Sequence, residues 1–370
     1  MSGANRGARG VVPSQGAGMS GLTIAGGRDT GGAVRPVKAP PLRPQNRQLA
    51  VLAVLLVVAI PLPLVLPPAM GAVAVRILIF LLMAIGWNVM SGFGGMFSFG
   101  HAAFFGLGAY TSAYLLVKHD VSPWIGMLAG MAVAAVVAVV IGYFAFRYKL
   151  RGAYFALATF AFAEMLRLIA TTTDFTNKAV GFSVPLIQGS SLWKIQFAAD
   201  SPAYFWVALA LAGIAALVSI LFLHSRTGRY VTAIRDDEVA AAALGTPVMR
   251  YKLVTVALSA AITAVAGAFY TQYYLFVNPD LAFGSSVSIQ AIATVVIGGI
   301  GTVWGPVVGA IILGSLSDLT ATLLRTPPDF LNFLQGRSGL DVALYAVLLI
   351  LIVRVLPKGI VGTIQARWRR

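Results

Sequence analysis

Three consecutive carboxylates, Asp236, Asp237 and Glu238, open the run DDEVAAAALG inside a polar insert that spans Arg226 to Lys252. Carboxylates at the start of a helix complement the positive end of its dipole. Ala240 to Ala243 are strong helix formers without bulk. Gly245 suits a left-handed cap, and Pro247 stops the helix from continuing. The pattern predicts a compact two-turn helix with one small, flat face, flanked by arginines, a shape that suits docking into a groove of a soluble partner. A generic polar loop would explain the charges but not the capped alanine run.

Elsewhere, reactive groups are sparse. His101 is the one histidine placed inside an apolar region, which makes it a functional hypothesis by default. The alternative is that it serves a backbone exposed by the glycines before it. Glu164 and Arg167 stand three residues apart and so share a helix face; they read as a structural ion pair near the outer end of a span. Asp318 is the other acid at membrane depth, and the set is too poor for a proton relay. No GxxxxGK[ST] phosphate loop, HExxH or CxxC occurs, and the serines lack a plausible base. Neither enzyme activity nor a cofactor or metal of the chain's own is expected.

The elements that must position these groups are membrane helices. Apolar residues make up 58% and charged residues 11%, with a mean hydropathy of +0.85, far from the quarter charged of soluble domains. Ten apolar cores are read at 49–67, 70–91, 101–117, 123–146, 153–170, 204–224, 253–275, 287–303, 305–324 and 341–356. The expected fold is an all-α integral membrane protein in one domain over 49–362. Residues 1–48, rich in Gly, Pro and Arg, predict a disordered basic tail, and 363–370 a basic C-terminus. Ten spans put both ends of the chain on one side, and that side then receives 20 of the 27 basic residues. By the positive-inside rule it is the cytoplasm. The insert (225–252) is then cytoplasmic and the 171–203 connection periplasmic. The net charge of +15 is explained by this orientation, with no call for nucleic acid.

Two glycine-rich stretches interrupt the apolar pattern: Ser91 to Tyr110 and Val295 to Ala310. Irregular backbone at membrane depth requires a protein or wet surround, which makes Gly94, Gly95, Ser98, His101, Gly298 and Gly299 candidates for lining a translocation path. The competing reading is close helix packing, as for the pairs Gly126/Gly130 and Gly305/Gly309.

The insert resembles the coupling loop of ABC importer permeases, and in particular the form DEVAAAALG found in the branched-chain amino-acid importer family. SGFGGMFSFGHAAFFGLGAY, RYKLRGAYFALATFAFAEMLRL, VIGGIGTVWGPVVGA and VLPKGIVG agree with that family from about Leu78 to Gly362, in the style of its M-type subunit. The resemblance implies a bacterial inner-membrane complex. Its other parts would be an H-type permease, two cytoplasmic ATPases that use ATP and Mg, and a periplasmic binding protein. Arg235, Asp237, Glu238, Ala240, Ala241 and Gly245 carry over as coupling residues. Val239 departs from the broader importer consensus by separating Glu238 from the alanines. Urea, amides or aromatic acids are alternative solutes. An ion-coupled secondary transporter or a passive channel is the alternative of another class.

Overall fold

The computed structural model describes residues 44–187, 189–198, 201–325, 354 and 359–368. Its long helices are α1 (Pro44–Ala59), α3 (Pro68–Trp87), α4 (His101–His119), α5 (Pro123–Arg147), α6 (Gly152–Thr172), α7 (Ala203–His224), α10 (Val248–Tyr274), α12 (Ser285–Gly298) and α13 (Gly305–Arg325). Shorter ones are α2 (Leu62–Val65), α8 (Arg226–Asp236), α9 (Glu238–Ala243), α11 (Pro279–Phe283) and α14 (Gly359–Trp368). Two strands of two residues each, β1 (Phe182–Ser183) and β2 (Phe276–Val277), pair antiparallel.

Seven stretches among the described residues are long and apolar enough to cross a membrane. Two further expected spans, 101–117 and 305–324, are present as the helices α4 and α13. The expected span 341–356 lies outside the described residues.

Two boundaries differ from expectation. The helix begins at Pro44 rather than after residue 48, because proline needs no donor partner in a first helical turn. The expected span 287–303 ends at Gly298, since Gly299 and Gly301 take φ of +127° and +72°. Residues 363–368 of the expected basic C-terminus are helical, as the end of α14.

α10 lies at the centre, packed on α3, α4 and α5. Small residues permit this approach. A side-chain carbon on Gly108 would strike the Ala264 backbone, and one on Gly130 would sit 3.1 Å from the Gly108 Cα. Gly309 abuts the Thr294 carbonyl in the same way, joining α13 to α12. The packing reading of the spaced glycines holds at these positions.

The bundle has two ends, each identified by its own bonds. At one, His224 bonds Gln48, Arg235 bonds the Gly92 carbonyl, and Gly299 abuts Gly359. At the other, Lys194 pairs with Asp120, Ser122 donates to the Trp193 carbonyl, and Trp206 donates to Ile60. The insert projects from the first end.

Candidate functional site

The insert is two helices, not one. Ser225 starts α8 by accepting from the Gly228 amide at 3.1 Å, and Val231 and Ile234 turn inward. The signals were present in the sequence: a serine cap followed by two apolar residues three apart. α8 ends where Asp237 goes extended. The Asp237 carboxylate then accepts from the amides of Val239 and Ala240, both at 2.9 Å. Asp237 is therefore an N-cap of α9 as well as a dipole partner. At the far end Gly245 takes φ +81°. Its amide bonds the Ala242 carbonyl at 2.9 Å, and the Thr246 amide bonds Ala241 at 3.1 Å, satisfying carbonyls a helix end would leave bare.

One face of α9 is uncovered. Val239 is 68% and Leu244 87% exposed, and Ala240, Ala242 and Ala243 lie between them. Beneath this face, the charged groups are spent inside the subunit. Glu238 pairs with Lys252 at 2.9 Å and with Arg151 at 3.4 Å. Arg235 donates to Asp236 at 2.8 Å and to the Gly92 carbonyl at 3.2 Å. Ala241 is buried. Of the six expected coupling residues, Ala240 and Gly245 present outward, Asp237 caps, and Arg235, Glu238 and Ala241 brace the insert from below. A cleft of about 160 Å³ runs under it, between Gly94–Phe97, Leu150–Gly152, Glu238 and Lys252.

The first glycine-rich break is anchored by Ser98 and His101 together with polar side chains that the sequence reading did not single out: Asn88, Thr159, Ser259 and Ser288. α3 passes into a π turn (Asn88–Phe93), and α4 starts only at His101. Ser98 has no exposed surface; its hydroxyl accepts from the Gly100 amide at 3.1 Å and its carbonyl accepts from Trp87 at 2.8 Å. Thr159 accepts from the Phe99 amide, and Ser288 from the Ala102 amide at 2.9 Å. The Ser259 hydroxyl donates to the Gly86 carbonyl at 2.6 Å, so it accepts from His101 Nε2–H at 3.0 Å. His101 thus reaches a backbone carbonyl through a serine. Asn88 spans both breaks, accepting from the Gly301 amide at 2.9 Å and donating to Thr302 at 3.0 Å. A lone asparagine in the apolar run LLMAIGWNVM was the available signal.

The six expected path residues are dispersed. Ser98 and His101 are sealed in the bundle. Gly95, at φ +67°, lies under the Arg235 side chain, where a Cβ would meet Cγ at 2.5 Å. Gly298 faces the Gly305 carbonyl, and Gly299 lies beside α14. Glu164 and Arg167 are paired at 2.6 Å, and Asp280 joins them at 2.6 Å through Arg167 Nη1. Asp318 pairs with Arg76 at 2.9 Å.

Among known proteins, the chain is 29% identical to the high-affinity branched-chain amino acid transport system permease protein LivM of Salmonella typhimurium. That match covers 72% of this chain and 67% of the relative. It is 29% identical to the corresponding LivH of Escherichia coli K12, over 76% of this chain and 91% of the relative. A shorter match, 31% identical over 46% of the chain and 45% of the relative, is to the xylose transport system permease protein XylH of Haemophilus influenzae. The model of the branched-chain amino acid transport system / permease component family covers residues 69–353. With helices fit to span a membrane and a match over most of its length, the chain belongs to that permease family.

Proposed function

We propose that this chain is one permease subunit of an ATP-driven importer for branched-chain or related amino acids in the bacterial inner membrane. In this reading it spans ten times, with both ends of the chain cytoplasmic. A second, H-type permease completes the path, two ATPases use ATP and Mg, one of them docking on α9, and a periplasmic protein delivers the solute. The observation that carries the reading is the uncovered apolar face of α9, held rigidly by caps and by ion pairs beneath it. Apolar surface left facing water on a braced element serves association. Arg147, Lys149, Arg151, Arg226, Arg229, Arg250 and Lys252 gather at the insert's end, supporting a cytoplasmic position by the positive-inside rule. The relatives LivM and LivH support the amino-acid class, since each match covers far more of the chain than XylH does.

The test is purification of the tagged chain with its encoded neighbours, followed by binding and uptake assays in proteoliposomes. Uptake of a branched-chain amino acid that requires ATP and both ATPases is the expected result. Uptake by the lone chain under an ion gradient, or passive conduction, would overturn the proposal.

A further inference from the structure

α10 is the most enclosed of the seven apolar stretches, with 61% buried, yet one of its faces opens at the end away from the insert. Residues spaced three and four apart share a helix face. On this face Val256, Ser259, Thr263 and Gly267 are all buried. Thr263 lies against Gly86 of α3, and Gly267 against the Phe105 carbonyl of α4. One turn further the same face uncovers: Tyr270 and Tyr273 are half-buried, and Tyr274 is 43% exposed. A face turned to lipid behaves otherwise. On α5, Ile125, Leu128, Val136, Val140 and Phe144 are uncovered from one end of the helix to the other. The opening on α10 is therefore a recess in the outer end of the bundle, floored at Phe105.

The recess is aromatic, with polar rims. Ring centroids of Tyr270 and Tyr274 are 4.5 Å apart, and those of Tyr273 and Tyr274 5.0 Å. Phe105 meets Tyr270 edge-on at 5.4 Å, and Tyr204 of α7 meets Tyr273 at 5.3 Å. The Tyr204 hydroxyl accepts from the Phe197 amide at 3.3 Å. The hydroxyls of Tyr270 and Tyr273 have no hydrogen-bond partner among the described residues, and neither is sealed from the surface. A tyrosine hydroxyl inside a protein usually finds a partner. Here water or a ligand supplies it.

Resting on the proposed function, we infer that Tyr270, Tyr273 and Tyr274 line the outer entry of the solute path and form a transient subsite for an aliphatic α-amino acid. The ring faces take the alkyl side chain, and a solute ammonium over a tyrosine ring gains a cation–π contact. The hydroxyls replace part of the water that the ammonium and carboxylate give up. No ion pair to a fixed charge is needed, so the solute is held weakly and passes on. The floor at Phe105 and Tyr270 keeps the recess from running through the bundle.

The chain has no cysteine, so a single one reports cleanly. In the intact complex, Tyr270→Cys and Tyr274→Cys are expected to react with a charged, membrane-impermeant thiosulfonate. Leu128→Cys on α5 is 64% exposed and lies a similar distance inside its own helix end; it is expected not to react. Saturating amino acid with its loaded binding protein should slow the α10 reactions. Tyr270→Ala and Tyr274→Ala should each lower amino-acid uptake about fivefold, the worth of one aromatic contact, while ATPase stimulation by the binding protein persists. Should Tyr270→Ala fail to assemble, Tyr274→Ala, at the exposed ring, decides the subsite. Labelling on α10 no faster than at Leu128→Cys would overturn the entry, since lipid or the partner permease would then cover it. Wild-type uptake in Tyr274→Ala would overturn the subsite, as would loss of ATPase stimulation together with uptake, since the rings would then be a docking contact. A wild-type complex that takes up no amino acid would refute the functional reading instead, leaving the labelling to decide the entry.

Discussion

Replacing Glu238 by glutamine removes the charge that joins the insert to the bundle while keeping its shape. Glu238 and Lys252 lie 2.9 Å apart with 27% and 13% of their side-chain surfaces exposed. At that separation and an effective dielectric near 20, their attraction is roughly 6 kcal/mol. Most of it offsets the desolvation of two partly buried ions. Glutamine still accepts one hydrogen bond from Lys252, and Lys252 keeps its place 5.3 Å from the Phe146 ring. The net loss is then about 1–2 kcal/mol, a factor of roughly 5–30 in the equilibrium for lifting α9. Amide hydrogen exchange on the membrane-embedded complex reads this directly. Amides from Ala241 to Thr246 should exchange faster by that factor, while those of α8, held separately by Ser225 and Arg235, stay unchanged. Solute-stimulated ATPase activity should fall in the same variant. Unchanged exchange along α9, with wild-type coupling, would refute the bracing role. The double variant E238Q/K252Q should lose less than the sum of the two single variants, because it strands neither charge.

Three further outcomes are expected. Leu244→Asp, at a side chain 87% exposed, should leave the thermal midpoint of the subunit unchanged but abolish co-purification of the ATPases. Gly298→Val forces a branched side chain into the Gly305 carbonyl; the overpacking should cost about 1–3 kcal/mol or more, seen as lower folded yield and an earlier melt in detergent. Ser259→Ala removes the acceptor of His101 and the donor to Gly86, at about 1–3 kcal/mol for stranded buried groups. The melt should shift down, and Ser259→Thr should recover part of the shift.

Local rules read the second half of the insert well, while its first helix, α8, was not anticipated. The helix, caps and stop of that second half depend on residues within ten positions of one another, and the chemistry of Asp237, Gly245 and Pro247 is independent of what they touch. The sense in which Glu238 and Arg235 point was not legible, because it depends on Lys252, Arg151 and Gly92, which only the assembled bundle brings near. The same holds for the first glycine-rich break. Glycines announced an interruption, but Ser259, Thr159 and Ser288, which satisfy its backbone, come from three other helices. Glu164 and Arg167 were readable as a pair because three residues separate them on one helix. Asp280, 113 positions away from Arg167, was not. At Gly298, which abuts the Gly305 carbonyl, the sequence left two readings open for a physical reason: a glycine that opens space for solute and one that admits a neighbouring backbone look alike in sequence.

The insert grips the bundle at two separate places, and this bears on how a push on α9 would travel. α8 holds the first glycine-rich break through Arg235, whose head bonds Gly92 and whose methylenes cover Gly95. α9 holds the starts of α6 and α10 through Arg151 and Lys252. A load on the apolar face therefore reaches α6 directly at its base. It reaches the α3–α4 junction by a second route, where a π turn and seven non-helical residues offer the least resistance to bending. Asn88 ties that junction to the second break, at Gly301 and Thr302, so the two interruptions are joined rather than independent hinges. Gly92 and Gly95, held by Arg235, and Gly301, held by Asn88, are the points where such a load would enter the two interruptions. From the insert's end, α6 runs unbroken from Gly152 past Glu164 and Arg167 to Thr172, so a load taken up at Arg151 is carried along one continuous helix toward the opposite end of the bundle.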